Sequence, residues 1–190
     1  YGNPDLQPET SKNFSVSIEH KFNDQLYSSL TYFDTQFENL IDYSFALSKY
    51  NNVVKTRTVG IESQTNANFM DGGLRLTLAL GYQEPKDDSK NQWLVRRPLR
   101  TGSLKISSDL ATDLNIGVEA IHTGEKLDKS GSKFLMVEDY TLVNIFGNYK
   151  VSTMTSAFAR IENVENKTYE TTYGFYNQGS IYKIGAQLSF

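Results

Sequence analysis

Histidine brings metal or acid–base chemistry more often than most residue types, and this chain has two, His20 and His122. No cysteine accompanies them, so a zinc site would need carboxylates to complete four ligands. Two strand residues near an interface is the simpler reading. Glu84, Asp87 and Asp88 share one polar segment and Glu125 and Asp128 another. Neither has the central Gly and terminal Glu of a calcium loop, so both read as solvated charge. Asp71-Gly72-Gly73 is a turn, since no strand-to-helix phosphate motif follows it. No serine sits in a nucleophile elbow or beside a base. These residues point to no enzyme, metal or cofactor. Two other groups offer binding. Tyr43, Phe45, Tyr50, Trp93, Phe134, Tyr173, Phe175 and Tyr176 fall in segments that read as loops, where rings suit a bulky, part-apolar ligand. An aromatic belt or loop-on-loop packing is the more ordinary reading of the same residues. Arg96, Arg97 and Arg100 suit phosphate or carboxylate partners.

The elements that carry these residues are strands. Tyr182, Ile184, Ala186, Leu188 and Phe190 alternate with Lys183, Gly185, Gln187 and Ser189, which gives a strand one apolar and one polar face. Phe14, Val16, Ile18 and Phe22 do the same over Asn13 to Phe22, before a turn at Asn23-Asp24. A longer strand is expected from Gln25 to about Asn39, then a loop over Tyr43 to Asn52, then alternation from Thr56 to Phe69. Met70-Asp71-Gly72-Gly73 is a tight hairpin turn. Leu74, Leu76, Leu78, Leu80 and Tyr82 form the cleanest stripe. Glu84 to Gln92 reads as a charged loop. Leu99 to Ser108 pairs with Leu114 to His122 about a turn at Asp109 to Asp113. Glu125 to Lys133 reads as a polar loop, Asp139 to Val151 and Thr153 to Glu162 as a hairpin, and Asn163 to Gly179 as a long loop.

Linkers alternate between about two to five and about ten to fifteen residues, as short inner turns and long outer loops do in outer-membrane barrels. Composition agrees. The chain has 190 residues, 38% hydrophobic and 13% aromatic, with 12 Tyr, 11 Phe and one Trp. It lacks the run of about 18 apolar residues of a transmembrane helix, but its mean hydropathy of −0.47 is compatible with strands apolar at every second residue. The net charge of −3 and the absence of a basic cluster argue against a nucleic-acid partner. The expectation is an all-β, antiparallel transmembrane barrel portion of about nine strands. Tyr1-Gly2-Asn3-Pro4 is no signal peptide. An odd strand count leaves edges that hydrocarbon cannot satisfy, so the whole chain, 1–190, is expected to be part of a longer barrel, without a plug domain of its own.

Particular motifs sharpen this. Gly2-Asn3-Pro4-Asp5-Leu6-Gln7-Pro8-Glu9 resembles the "NPDLxPE" motif of TonB-dependent receptors, and Asn163 to Glu170 (NVENKTYE) is similar to their near-terminal "NLFDKxYE" motif. The likeness extends over nearly all of the chain. Asn39 to Tyr43, Tyr50 to Asn52, Thr58 to Glu62, Leu94 to Pro98 and Tyr169 to Phe175 look most like the cobalamin receptors within that family. The family's "PGR" before the last strand reads Gln178-Gly179-Ser180 here, so no role of that Arg is carried over. The resemblance implies a barrel of about 22 strands around an N-terminal plug, taking up a scarce ligand such as cobalamin or a siderophore. Its implied partners are the remaining strands and the plug, an energy-coupling inner-membrane complex, outer-membrane lipid and lipopolysaccharide, and the β-barrel assembly machinery. Lys183, Gly185, Leu188 and Phe190 resemble the signal which that machinery reads. In this frame Arg96, Arg97 and Arg100 face lipopolysaccharide phosphates or acidic lumen residues. Two other classes remain open from sequence: a complete small barrel serving as a passive pore or structural protein, and a soluble β-sandwich binding module.

Overall fold

A computed structural model describes residues 2–44, 47–88 and 90–189, with the side chains of Val53 and Val54 also outside the description. Phe45 and Phe190, both singled out above, lie outside the described residues. Nine long strands form one antiparallel sheet: β1 (Thr10–Lys21), β2 (Leu26–Ser44), β3 (Lys49–Phe69), β4 (Leu74–Asp87), β6 (Arg100–Ala111), β7 (Leu114–Thr123), β10 (Tyr140–Lys150), β11 (Thr155–Glu162) and β14 (Ile181–Leu188). A short β5 (Gln92–Trp93) pairs with β4. Two hairpins stand apart from the sheet, β8 (Lys126–Ser130) with β9 (Lys133–Val137), and β12 (Glu170–Thr172) with β13 (Phe175–Tyr176).

Neighbours in sequence pair in order from β1 to β14, the outcome expected when short turns join antiparallel strands. Asn23 accepts from the Gln25 and Leu26 amides, at 2.8 Å each, to close the first turn. Met70, Asp71 and Gly72 all take positive φ (52°, 51° and 91°) in the second, where only glycine is unstrained. These turns and those at 112–113 and 151–154 lie at one end of the sheet. Every long connection lies at the other.

The register sorts side chains by chemistry. Val16, Tyr32, Ile61, Tyr82 and Arg100 follow one another across paired strands, as do Leu78, Leu104, Ala120 and Val143. Phe14, Ile18, Leu80, Ile145, Ile184 and Leu188 share this face and are exposed, Ile184 at 86%. The other face carries Ser17, Thr31, Glu62, Lys105, Glu119, Asn144, Arg160 and Lys183. Buried apolar residues among the described ones amount to Ala67, Val137 and Pro85. A water-soluble sandwich covers such a face with a second sheet, and here no second large sheet exists among the described residues. The soluble-sandwich reading is overturned. An apolar band of this extent needs hydrocarbon against it.

Three glycines on the polar face do a job that sequence alone does not show. Gly60, Gly117 and Gly185 each pair directly with a phenylalanine, Phe33, Phe146 and Phe158. The ring lies where a side chain would stand: a Cβ on Gly185 would be 2.5 Å from Cζ of Phe158. Such aromatic cover of a strand glycine packs a site otherwise open to solvent.

Several expected loops are ordered as strands. Of the expected loop Tyr43 to Asn52, Tyr43 and Ser44 end β2 and Lys49 to Asn52 open β3, in a hairpin whose arms are 19 and 21 residues long. A strand crosses a bilayer in about 9–11 residues, so the hairpin projects well beyond it. No Gly or Pro interrupts Tyr43 to Asn52 to end the pairing. Glu84 to Gln92 is strand as far as Asp87, Pro85 included. The Pro85 carbonyl accepts from the Leu94 amide. Carbonyl and nitrogen of one residue point the same way, so the missing N–H faces away from β3 and costs that ladder nothing. Glu125 to Lys133 contains most of the β8–β9 hairpin, turning at Gly131 with φ 61°. Asn163 to Gly179 contains β12 and β13, turning at Gly174 with φ 77°.

Candidate functional site

The long-loop end gathers the residues capable of recognition. Its first part is built by the Asn3 to Glu9 motif, which runs beside the projecting β2–β3 hairpin. Asn52 reads the backbone of Gln7 in both directions, accepting from its amide at 2.9 Å and donating to its carbonyl at 3.0 Å. The Asn3 side chain donates to the Tyr50 carbonyl at 3.0 Å. Glu9 accepts from the Ile41 amide at 2.6 Å; β1 pairs with β2 only as far as Glu38, so a side chain takes over where the ladder ends. Tyr43 and Tyr50, paired across the hairpin, meet edge to face at 5.3 Å.

The second part centres on Asp128 in β8, 1% exposed. It accepts from Nε of Arg96 at 2.9 Å, from the Lys129 amide at 2.7 Å and from the Tyr173 amide at 2.8 Å. One carboxylate therefore ties together three loops: β5–β6, β7–β10 and β11–β14. Burial pushes its pKa up, but the two backbone N–H bonds and the Arg96 guanidinium outweigh that and hold it below the usual carboxylate range. Burial depresses the Lys126 ammonium, with Asp128 pulling the other way. Arg96 thus has an acidic partner, in the loops rather than the lumen.

Next to this clasp lies a cleft of about 620 Å³ between the β7–β10 and β11–β14 loops. Its walls include Tyr140, Tyr169, Tyr173 and Tyr176 with Glu138, Asp139, Glu170 and Lys167. Tyr140 and Tyr169 lie 4.5 Å apart, ring to ring. A hydrogen bond with Glu170 raises the Tyr176 phenol. Phenol faces and hydroxyls beside carboxylates can hold a ligand that is apolar in part and polar in part.

Only two of the aromatics proposed from sequence, Tyr173 and Tyr176, line this cleft. Tyr43 and Tyr50 stand on the β2–β3 hairpin. Trp93 lies under the Lys86 ammonium at 4.6 Å, and Phe134 under Lys129 at 5.4 Å. Phe175 is exposed and lines no part of it. Tyr140 and Tyr169 were missed, although Tyr169 is the aromatic of the NVENKTYE motif.

That motif is a folded knot. Asn163 and Asn166 take positive φ, 52° and 51°. Asn163 holds the Lys167 amide and carbonyl at 2.9 and 2.8 Å, while the Ser180 hydroxyl donates to the Asn163 carbonyl at 2.7 Å. Gly179 is needed here for close approach, because the Asn166 amide oxygen occupies the place of its Cβ. Of the terminal-strand residues, Lys183 pairs with Glu162 at 2.7 Å, Gly185 lies beneath Phe158, and Leu188 is exposed on the apolar face. The histidines stay apart: His20 packs on Phe22, and His122 bonds Thr141 at 3.0 Å.

A single sheet with one lipid-compatible face, short turns at one end and long loops at the other defines the wall of an outer-membrane barrel. Residues 1–164 match the family model described as TonB dependent receptor-like, beta-barrel. The chain belongs to this family, and its place is the bacterial outer membrane. It is 27% identical over 188 residues to the vitamin B12 transporter BtuB of Vibrio vulnificus (strain YJ016), an alignment covering 97% of this chain and 29% of that protein. The chain thus spans about three-tenths of that relative's length. Its fold is similar to that of the siderophore receptor PirA from Acinetobacter baumannii, with a TM-score of 0.81 at 21% identity over 100% of this chain and 33% of that one. It is similar also to the ferripyoverdine receptor of Pseudomonas aeruginosa, with a TM-score of 0.75 at 24% identity over 97% and 28%. These relatives are transporters and receptors, not enzymes.

Proposed function

We propose that residues 1–190 form, as one unit, wall and outer loops of an active-transport receptor that captures a scarce ligand of the cobalamin or siderophore kind. The observation that carries this reading is the pairing of a coreless, outwardly apolar sheet with a tyrosine- and carboxylate-lined cleft at its long-loop end. The likeness to BtuB supports cobalamin as the first ligand to try. In this reading the polar face, with its Glu119–Arg160–Glu162–Lys183 network, looks toward a plug and water, and the edges of β1 and β14 pair with further strands of the same barrel. Unpaired, each edge amide in hydrocarbon would cost several kcal/mol. Energy for uptake comes from an inner-membrane complex acting through the plug. The terminal strand presents Lys183, Gly185, Leu188 and Phe190 to the assembly machinery, and deletion of Phe190 is expected to lower insertion into the outer membrane.

The test is ligand binding and uptake by the native outer-membrane protein that carries this chain, offered cobalamin and a panel of ferric siderophores. One ligand should bind, and replacing Tyr169 and Tyr173 together by Ala should weaken it by roughly tenfold or more, as loss of central aromatic anchors does. A native polypeptide with a mass near 21.5 kDa, or ligand uptake indifferent to both tyrosines, contradicts the proposal.

A further inference from the structure

The tyrosine cleft beside the Asp128 clasp is unbalanced in charge. Its walls carry three carboxylates, Glu138, Asp139 and Glu170, against one ammonium, Lys167. That ammonium is already engaged: Lys167 Nζ pairs with Glu165 at 2.9 Å and donates to the Thr141 carbonyl at 3.1 Å. Glu170 accepts from the Gly174 amide at 2.9 Å and from the Tyr176 phenol. Both donors are neutral, so its charge stays unanswered. Glu138 and Asp139 are exposed and have neither an ion pair nor a hydrogen bond among the described residues. The cations of the adjoining clasp are not free to compensate. Arg96 is held by Asp128 at 2.9 Å. The buried Lys126 ammonium lies over the Tyr140 ring at 5.7 Å, with Asp128 as its countercharge.

The rings agree in sign with the carboxylates. The face of each phenol is the negative pole of its quadrupole, which attracts a cation and repels an anion. Burial, with Tyr140 and Glu162 adding to it, raises the Tyr169 phenol, so at neutral pH this hydroxyl is a donor without charge. Register sets the cleft on the polar side of the wall. Tyr140 stands at the end of the row Thr31, Glu62, Gly81, Thr101 and Thr123. A polyanion is ordinarily received by Arg or Lys, and no such group stands unengaged on these walls among the described residues. An anionic ligand here would meet like charge while losing its water, and like-charge contact is a means of rejecting wrong partners.

We propose that the cleft selects its ligand by charge: it takes a neutral or cationic molecule and rejects polyanions such as ferric tris-catecholates. This rests on the cleft being the ligand surface of the uptake reading, and it narrows the class of ligand that reading leaves open.

The experiment is equilibrium binding to the native full-length protein in detergent, with two series of probes that vary charge within one chemical frame. The corrinoid series is aquocobalamin (cationic), cyanocobalamin (neutral) and a carboxylate derivative of cyanocobalamin (anionic). The ferric series is a cationic tris-hydroxamate, a neutral tris-hydroxamate and a trianionic tris-catecholate. Variants are Glu138→Gln with Asp139→Asn, each of these alone, and Asp24→Asn at the short-turn end as a control. Heat-modified gel migration identifies folded barrel in each sample. In whichever frame binds, the anion should bind at least about tenfold more weakly than the neutral probe. The double variant should weaken the cation by about tenfold and bring the anion to within about threefold of the neutral probe. High salt should shrink the same differences, and Asp24→Asn should leave them unchanged. Where the double variant does not fold, the single changes decide. An anion that binds as tightly as its neutral counterpart, or an order that neutralising Glu138 and Asp139 does not alter, overturns the charge rule and leaves the uptake reading standing. Binding of neither frame overturns both.

Discussion

The sheet and the outer loops of this chain are held together by opposite means. In the sheet, backbone ladders run unbroken from β1 to β14 and side chains need only satisfy a period of two, so stability is spread over many equivalent bonds. In the outer loops few ladders exist, and three segments distant in sequence converge on one carboxylate, Asp128. Redundancy makes a wall tolerant of substitution; convergence makes a recognition surface definite but dependent on single residues. The proposed function fits this division, since binding surfaces are commonly carried on loops set by a rigid scaffold.

Substitutions can break or sharpen that contrast. The largest effect is expected for Asp128→Ala, which leaves the Tyr173 and Lys129 amides and Arg96 without their acceptor. Losing charged hydrogen bonds at a buried site costs about 2–3 kcal/mol, so exchange of the Tyr173 amide should quicken by roughly 30-fold or more, with the β6–β7 ladder unchanged. Next comes Gly185→Val, which must displace the Phe158 ring; overpacking of this kind costs about 1–3 kcal/mol, read as a lower unfolding temperature of the barrel. Arg160→Ala is expected to cost about 1 kcal/mol, since its partners Glu119 and Glu162 are only half-buried. Smallest of all is Lys21→Ala: Lys21 and Asp24 are 63% and 95% exposed, and the change in unfolding temperature should be negligible. Equal effects of Asp128→Ala and Lys21→Ala would erase the contrast.

Acid should separate the regions too. The Asp128 carboxyl is depressed in the folded state, so its contribution is fully present above the unfolded value of about 4 and is lost as pH falls through the lower folded value. Protection of the Tyr173 amide, corrected for intrinsic exchange, should therefore hold from neutral pH to about pH 4 and drop below it. Protection in β6 and β7 should show no such step. A Tyr173 profile that tracks the sheet would remove Asp128 as the clasp.

Much of the wall was legible in the sequence because its signal is local. Leu74 to Tyr82 alternate whatever they pair with, and the nine spanning strands follow from such runs and the turns between them. Asp128 was read as solvated charge for the converse reason: nothing near it in sequence shows that Arg96 and Tyr173 arrive from loops on either side. The Phe–Gly pairs stayed hidden because they depend on register, and one residue of slip would put Phe158 opposite Ile184 instead of Gly185. Tyr43 to Asn52 read as a loop, yet Tyr43 and Ser44 pair with Tyr50 and Lys49; outside the membrane a strand needs only a paired backbone. Tyr140 was passed over as an ordinary strand residue, which by pairing it is, and its place in the cleft comes from Tyr169.

Face assignment is the claim on which the rest stands, and a chain without cysteine allows it to be measured directly. Single cysteines at 102 to 107 in β6, spin-labelled in the full-length protein in lipid, should alternate in accessibility to oxygen, which concentrates in hydrocarbon. Labels at Leu104→Cys and Ile106→Cys should be high, and those at Ser103→Cys, Lys105→Cys and Ser107→Cys low. Uniform or reversed accessibility along these six positions would contradict a sheet with lipid on its apolar face.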